Sequence, residues 1–374
     1  MAGTMQMKTG AEIAQRSATI SDKAGAYPHL LTKIKSMKAD IKLLVVGMTL
    51  GLTLLTTVMH ATRATEHAVA VDAAASGVGV PDAPSVLQTN PVGLTPALPI
   101  TASDIIRYGR PEKLALRSSV ALIMDAREGV VLYGHNIDNP RPIASLTKLM
   151  TAMVILDAGL PLDEPIVITR ADRDTLRGTR SRLQYDAIFT RYDLLQAALG
   201  ASDNRAAAAL ARTYPGGAEL MFQAMNATAQ KLNMTHTRYA DASGLDSNNV
   251  STAEDLVKLI VATNKHPLFQ ALTTNASFHI TDLRKGTSIP FVNTNRLVRR
   301  ESWDIGLSKT GYTAAAGSCL VMQTTIGNRP LVIVLLNSWG KFSRLGDSNR
   351  IRDWLLQTER KVQHINSAVA STQG

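Results

Sequence analysis

One cysteine stands among 374 residues. Cys319 therefore has no intrachain partner for a disulfide, and a cysteine-rich zinc site is excluded. It lies in the apolar run CLVMQTT, the setting of a buried, inert thiol. Aromatic residues make up only 5% of the chain, too few for a base-stacking surface, so no nucleic acid partner is expected. The eight histidines are scattered and show neither HExxH nor HxxEH spacing. That pattern points away from a metal enzyme, and neither metal nor other cofactor is expected. A dense basic run is missing too, although the net charge is +10. Residues 1–42 carry seven Lys/Arg against Glu12, Asp22 and Asp40, and the remaining excess is spread thinly. Such a distribution reads as a solvated surface.

What the chain does have is apolar: 45% of its residues are hydrophobic, enough for a sizeable core. Residues 43–62, LLVVGMTLGLTLLTTVMHAT, contain no charged side chain and come after Lys33, Lys35, Lys38 and Lys42. This reads as a membrane-targeting segment, a signal peptide or an anchor, with its basic flank on the cytoplasmic side. Ala68-Val69-Ala70 fits a cleavage site but lies far from the apolar run, and a start at Met37 would shorten the unusually long lead of residues 1–42. The expected location is periplasmic, soluble if the segment is cleaved and otherwise held to the cytoplasmic membrane through residues 43–62. Residues 63–113, where Pro81, Pro84, Pro91, Pro96, Pro99 and Pro111 interrupt any period, read as a linker.

Periodicity begins near Leu114. SVALIMDAREGVVLYGHN (119–136) and SCLVMQTTIGNRPLVIVLLNSW (318–339) each read as a β-hairpin. Between them the spacing predicts helices over 145–158, 194–214, 218–234 and 251–264, with a last helix over 348–365 and a disordered tail at 366–374. Strands at both ends with helices between predict one α/β domain over 114–365, its terminal hairpins sharing an antiparallel sheet.

Three short motifs carry the chemistry. Ser145-Leu146-Thr147-Lys148 opens an apolar helix, where i and i+3 share a face and the amine comes beside the hydroxyl. Ser202-Asp203-Asn204 falls within the alanine-rich helical stretch, and Lys309-Thr310-Gly311 closes the strand-like run WDIGLSKTG. A second SxxK, Ser338 to Lys341, comes after a strand and starts no apolar helix, so it reads as coincidence. For Lys148 to act as the base on Ser145 it must be neutral, which burial and a nearby cation such as Lys309 would favour. Ser202 can relay a proton to a leaving amine, and Asn204 can hold a substrate amide. Lys309 and Thr310 can bind a carboxylate, and Gly311 lets an extended substrate approach the strand.

The order SxxK, SDN, KTG resembles the signature of penicillin-binding proteins and serine β-lactamases. Over residues 114–363 the chain is similar to low-molecular-mass penicillin-binding proteins of the D-alanyl-D-alanine peptidase family. Within that family it is nearest the D-alanyl-D-alanine endopeptidase (penicillin-binding protein 7) branch. The supporting segments are SSVALIMD, PIASLTKLMTAMVILDA, ASDNRAAAALARTYPGG, DASGLDSNNVSTAEDL and GLSKTGYT. The resemblance implies a serine β-lactamase/penicillin-binding-protein-like α/β fold, an antiparallel sheet flanked by helices with a helical subdomain. It also implies a D,D-peptidase acting on peptidoglycan peptides and open to covalent β-lactam inhibitors. Ser145, Lys148 and Ser202 would be catalytic, the backbone N–H groups of Ser145 and Tyr312 would form the oxyanion hole, and Asn204, Lys309, Thr310 and Gly311 would bind substrate. One departure is SRLQYDAIFTR (181–191), which lacks the glycine-containing turn that relatives usually carry. The short polar stretch after the last helix favours the endopeptidase branch over carboxypeptidases that add a further domain.

Three other readings share some of these features. A D-alanyl-D-alanine carboxypeptidase differs only in the group on the leaving side of the scissile bond. A class A β-lactamase needs a glutamate with asparagine four positions on, and this chain has none. A non-catalytic cell-wall sensor would tolerate loss of a motif, whereas all three are intact.

Overall fold

The computed structural model describes residues 99–340 and 342–372. The expectations for residues 1–42 and 43–62, and for the 63–98 part of the linker, lie outside the described residues.

The two hairpins form as expected. Strands β1 (Ser118–Asp125) and β2 (Val131–His135) turn at Asp125, whose Oδ1 accepts from Arg127 N (2.8 Å) and Glu128 N (3.0 Å). After the short pairs β3 (Arg141–Pro142) with β6 (Val250–Ser251), β4 (Pro165–Val167) with β5 (Ile188–Thr190), and β7 (Ser277–Thr281) with β8 (Ser288–Val292) come three long strands. These are β9 (Asp304–Thr313), β10 (Gly317–Ile326) and β11 (Arg329–Ser338). Strands β2-β1-β11-β10-β9 make one antiparallel sheet, so the chain's first and last strands pair at its centre. The near-continuous apolar runs of β1 and β11 suit that place, because both faces are covered. Val120, Leu122, Val334 and Leu336 point into the helical layer, whereas Ala121, Ile123, Ile333 and Leu335 pack on the opposite side against the terminal helices.

The helical layer is built around α2 (Thr147–Asp157), buried at every position from Thr147 to Ile155. A helix apolar all round belongs in a core, and each buried Leu, Met or Ile contributes about 1.5–3 kcal/mol. Helices α3 (Arg191–Gly200), α4 (Asn204–Arg212), α5 (Gly217–Lys231), α6 (Ala253–Ala262) and α7 (Leu268–Thr274) complete the layer. The single helix expected over 194–214 is two, because Ser202 takes a left-handed backbone (φ 61°) and the Asp203 side chain accepts from Ala206 N (2.9 Å) to cap α4.

Two expectations about the ends are corrected. Within the supposed linker, Ala102–Gly109 forms a helix, α1, started by a reciprocal cap between Thr101 and Asp104. Its Ala102 and Ile105 are buried, and Trp354 Nε1 donates to Gly109 O (2.8 Å). The last helix, α8 (Ser343–Thr372), begins earlier than 348 and runs through most of the expected tail. Buried Arg329 ties these pieces together, meeting Asp125, Glu128 and Glu359 and donating to Ile100 O (2.7 Å). Among the described residues no helix is long and apolar enough to cross a membrane.

Candidate active site

Ser145 lies in the 3-10 turn Ala144–Leu146 that leads into α2. N–H groups at such a start lack intrahelical partners. Ala144 adopts φ 48°, a conformation that costs a residue with a β-carbon about 1 kcal/mol. The turn is wedged between two glycines. A β-carbon on Gly244, whose φ is +81°, would lie 1.8 Å from Ala144 O, and one on Gly311 would lie 3.1 Å from Ser145 N. The space that Gly311 opens is therefore against the serine's own backbone, where its expected role is to admit substrate.

The i, i+3 spacing brings amine and hydroxyl together as the sequence requires. Lys148 Nζ sits 2.9 Å from Ser145 Oγ, 2.6 Å from Asn204 Oδ1 and 2.6 Å from Ser243 O. Lys148 is only 1% exposed. Burial lowers its pKa from 10.5 to about 7, against the opposing pull of Asp241, Asp203 and Asp174. Burial is thus the cause of the shift. The neighbouring cation to which the sequence points acts in the same direction, because Lys148 and Lys309 repel each other, whereas the three aspartates oppose the shift.

Strand β9 brings the third motif to the same place. Lys309, also 1% exposed, donates to Ser202 Oγ (2.8 Å) and Thr310 O (2.9 Å). Burial holds it well below the ordinary lysine value, and the charges of Lys148 and Arg344 push the same way. Thr310 Oγ1 lies 2.8 Å from Thr294 Oγ1. Tyr312 comes after Gly311 on β9, the outermost strand of the sheet, with its side chain 69% exposed. All eight expected site residues thus fall on the nucleophile turn, its helix, the α3–α4 joint or β9. Ser338 of the second SxxK is buried at the end of the sheet's middle strand, 2.6 Å from Ser118 Oγ and two strands away from β9.

Several neighbours lie outside the expected site residues. The Asp241 carboxylate accepts from the N–H groups of Ser243 (2.7 Å), Gly244 (2.5 Å) and Asp246 (2.8 Å), shaping the loop that offers Ser243 O to Lys148. That Asp-x-Ser-Gly run is a turn signal by composition and no more. Asn204 Nδ2 donates to Thr179 Oγ1 (2.9 Å), on a loop for which no local pattern announces a role. Arg344 of α8 donates to Gly311 O (3.3 Å), while its buried Nε has no hydrogen-bond partner among the described residues. No group of three or more His, Cys, Asp or Glu side chains is arranged to hold a metal among the described residues.

This arrangement can do acyl transfer: a hydroxyl, an adjacent base of suitable basicity, and a helix start whose N–H groups lack intrahelical partners. Comparison with known proteins agrees. The family model described as D-alanyl-D-alanine carboxypeptidase matches residues 108–340. The D-alanyl-D-alanine endopeptidase of Escherichia coli is 43% identical over 256 residues, 68% of this chain and 82% of its own length. That of Pseudomonas aeruginosa is 43% identical over 264 residues, 71% of this chain and 85% of its own. Among solved structures, a penicillin-binding protein from Listeria monocytogenes in its ampicillin-bound form superposes with a TM-score of 0.55 at 28% identity, covering 65% of this chain and 98% of that one. The match to the family model, spanning the nucleophile turn, the α3–α4 joint and β9 alike, makes this chain a member of the D-alanyl-D-alanine carboxypeptidase family of serine peptidases.

Proposed function

We propose that this peptidase cleaves D-alanyl bonds in peptidoglycan peptides, chiefly as an endopeptidase on cross-links, through an acyl-enzyme on Ser145. One observation carries the proposal: the Ser145 hydroxyl lies 2.9 Å from a buried amine whose pKa is brought to about 7. In the first step Ser145 Oγ bonds to the carbonyl carbon after D-alanine, and its proton passes to Lys148 Nζ. The oxygen that gains the carbonyl electron pair lies between the N–H groups of Ser145 and Tyr312. Ser202, oriented by Lys309, hands its hydroxyl proton to the departing amine as the C–N bond breaks and takes in return the proton held on Lys148, which leaves that amine neutral again. Water then repeats the sequence on the ester. Thr310, with Lys309 behind it, would receive a substrate carboxylate, and Arg344, whose Nε has no hydrogen-bond partner among the described residues, supports that reading by its positive charge. With its Oδ1 on Lys148 and its Nδ2 on Thr179, Asn204 serves the base before it serves the substrate.

Preference for cross-links is supported by the endopeptidase names of the 43% identical relatives, against 27–34% for the carboxypeptidases among its relatives. The reaction belongs outside the cytoplasmic membrane, where the substrate lies and where the uncharged run 43–62 would deliver the chain. A β-lactam should acylate Ser145, because its strained carbonyl meets the same nucleophile.

Purified protein incubated with cross-linked muropeptides should yield monomeric muropeptides. Release of free D-alanine with cross-links intact would replace the endopeptidase reading with a carboxypeptidase one. Ser145→Ala should abolish turnover and labelling by a fluorescent penicillin, whereas Ser338→Ala should retain both. Labelling that survives Ser145→Ala would refute the nucleophile.

A further inference from the structure

We infer that Thr179, polarised by the Asp174 carboxylate, is a positioning residue that sets the direction of the Asn204 amide and thereby aims the lone pair of Lys148 at Ser145. The inference rests on the role proposed for Lys148 as the base and concerns a loop outside all three motifs.

The chain of contacts has a direction. Asp174 accepts through Oδ1 from Leu176 N (2.9 Å) and Arg177 N (2.9 Å), and through Oδ2 from Thr179 N (2.8 Å). Its pKa is lowered by the hydrogen bonds from Thr179, Arg177 and Leu176, which outweigh burial, so it is a carboxylate. Thr179 Oγ1 lies 2.6 Å from Asp174 Oδ2. A carboxylate only accepts, so the single hydroxyl hydrogen of Thr179 points to it. The hydroxyl then has only lone pairs left for Asn204, 2.9 Å away. Asn204 must turn its Nδ2 hydrogens to Thr179 and its Oδ1 to Lys148, 2.6 Å away. The two ends of an amide are nearly the same in shape, so partners of this kind decide which way it faces.

The consequence falls on the base. A neutral amine has two hydrogens and one lone pair. Asn204 Oδ1 and Ser243 O are both acceptors, and together they take the two hydrogens. The third contact of Nζ is Ser145 Oγ, and the lone pair is left for it. That is the orientation needed for the Ser145 proton to move to Nζ as the Oγ–C bond forms. With the amide reversed, an Nδ2 hydrogen would occupy the lone pair, and an amine hydrogen would face the serine. A second anchor, Arg177 Nε donating to Leu245 O (2.9 Å), ties this loop to the one that supplies Ser243 O.

The test uses the full chain with Thr179→Val, Thr179→Ser and Lys148→Met, measuring penicillin acylation rates from pH 5 to 9, muropeptide kcat and KM, and thermal melting. Valine keeps the shape and removes both the hydrogen and the lone pairs. Thr179→Val should lower the acylation plateau by about 10- to 100-fold and leave KM and the melting curve near wild type. The charged groups around the amine, Asp174, Asp203 and Asp241 and on β9 Lys309, all remain in that variant, so a change in inflection reports the amide. It should move to lower pH, because a reversed Asn204 no longer accepts from the ammonium. Thr179→Ser should recover to within a few-fold. Wild-type acylation in Thr179→Val, an unmoved inflection, or a Thr179→Ser as poor as the valine variant would overturn the inference. Lys148→Met should be inactive; if it still acylates, the lysine-base reading itself has failed, a result distinct from failure of the Thr179 role.

Discussion

Titrating acylation is the most direct probe of the chemistry proposed for Lys148. Burial takes the amine from 10.5 to about 7, a penalty on the charged form of roughly 5 kcal/mol. An ordinary lysine is neutral at pH 7 in about three molecules per ten thousand, whereas about half of this one is. If the neutral amine is the base, the rate of acylation by a fluorescent penicillin should rise about tenfold from pH 6 to pH 8 and level off above. Stopped-flow fluorescence across pH 5–9 measures it. A rate still climbing tenfold per pH unit at pH 9 would mean an unperturbed amine and refute the reasoning. Stability offers an independent check. The folded pKa lies below the unfolded one, so between about pH 7 and 10.5 the unfolded chain binds the extra proton and folding stability rises with pH. Lys309 is displaced in the same direction and adds to the rise. Lys148→Met should flatten this dependence; an unchanged slope would show that the amine is hydrated.

Gly244→Ala places a β-carbon where Ala144 O stands, at a φ of +81°, and should lower acylation by at least about 100-fold through displacement of the nucleophile. Wild-type rates in that variant would show the turn to be more yielding than its packing implies. Arg329→Ala leaves the buried Asp125 and the partly buried Glu359 without their shared cation and should lower unfolding free energy in urea by about 3–5 kcal/mol. A loss below about 1 kcal/mol would mean the cluster does not hold the terminal helices to the sheet.

The parts legible in the sequence are those written in local periods. The runs around Ile123 and Val334 alternate across a sheet, and Ser145 with Lys148 needs only the helical repeat to meet. The SDN triplet is conspicuous but its geometry is not, since alanines on both sides suggest one continuous helix. Asp203 instead starts a new one, and its capping bond competes with helix continuation. The α1 helix carries a Thr-x-x-Asp cap that the surrounding prolines obscure. Asp174, Thr179 and Asp241 are out of reach for a different reason. They act through backbone N–H groups and single hydroxyls on partners brought close only by the tertiary fold, with Thr179 and Asn204 25 residues apart and Ser243 95 residues from Lys148.

Strand β9 ends the sheet, and Gly311 near its end packs beside the nucleophile, with no further strand paired to it among the described residues. An outer strand of this kind is ordinarily a seed for self-association, which proteins blunt with bulges or charge. Here the edge passes beside Ser145, so an element laid over it would also crowd the nucleophile. The enzyme thus keeps a sticky margin as a condition of working. Attaching a covalent penicillin at Ser145, beside that edge, should make the protein more soluble as well as inactive.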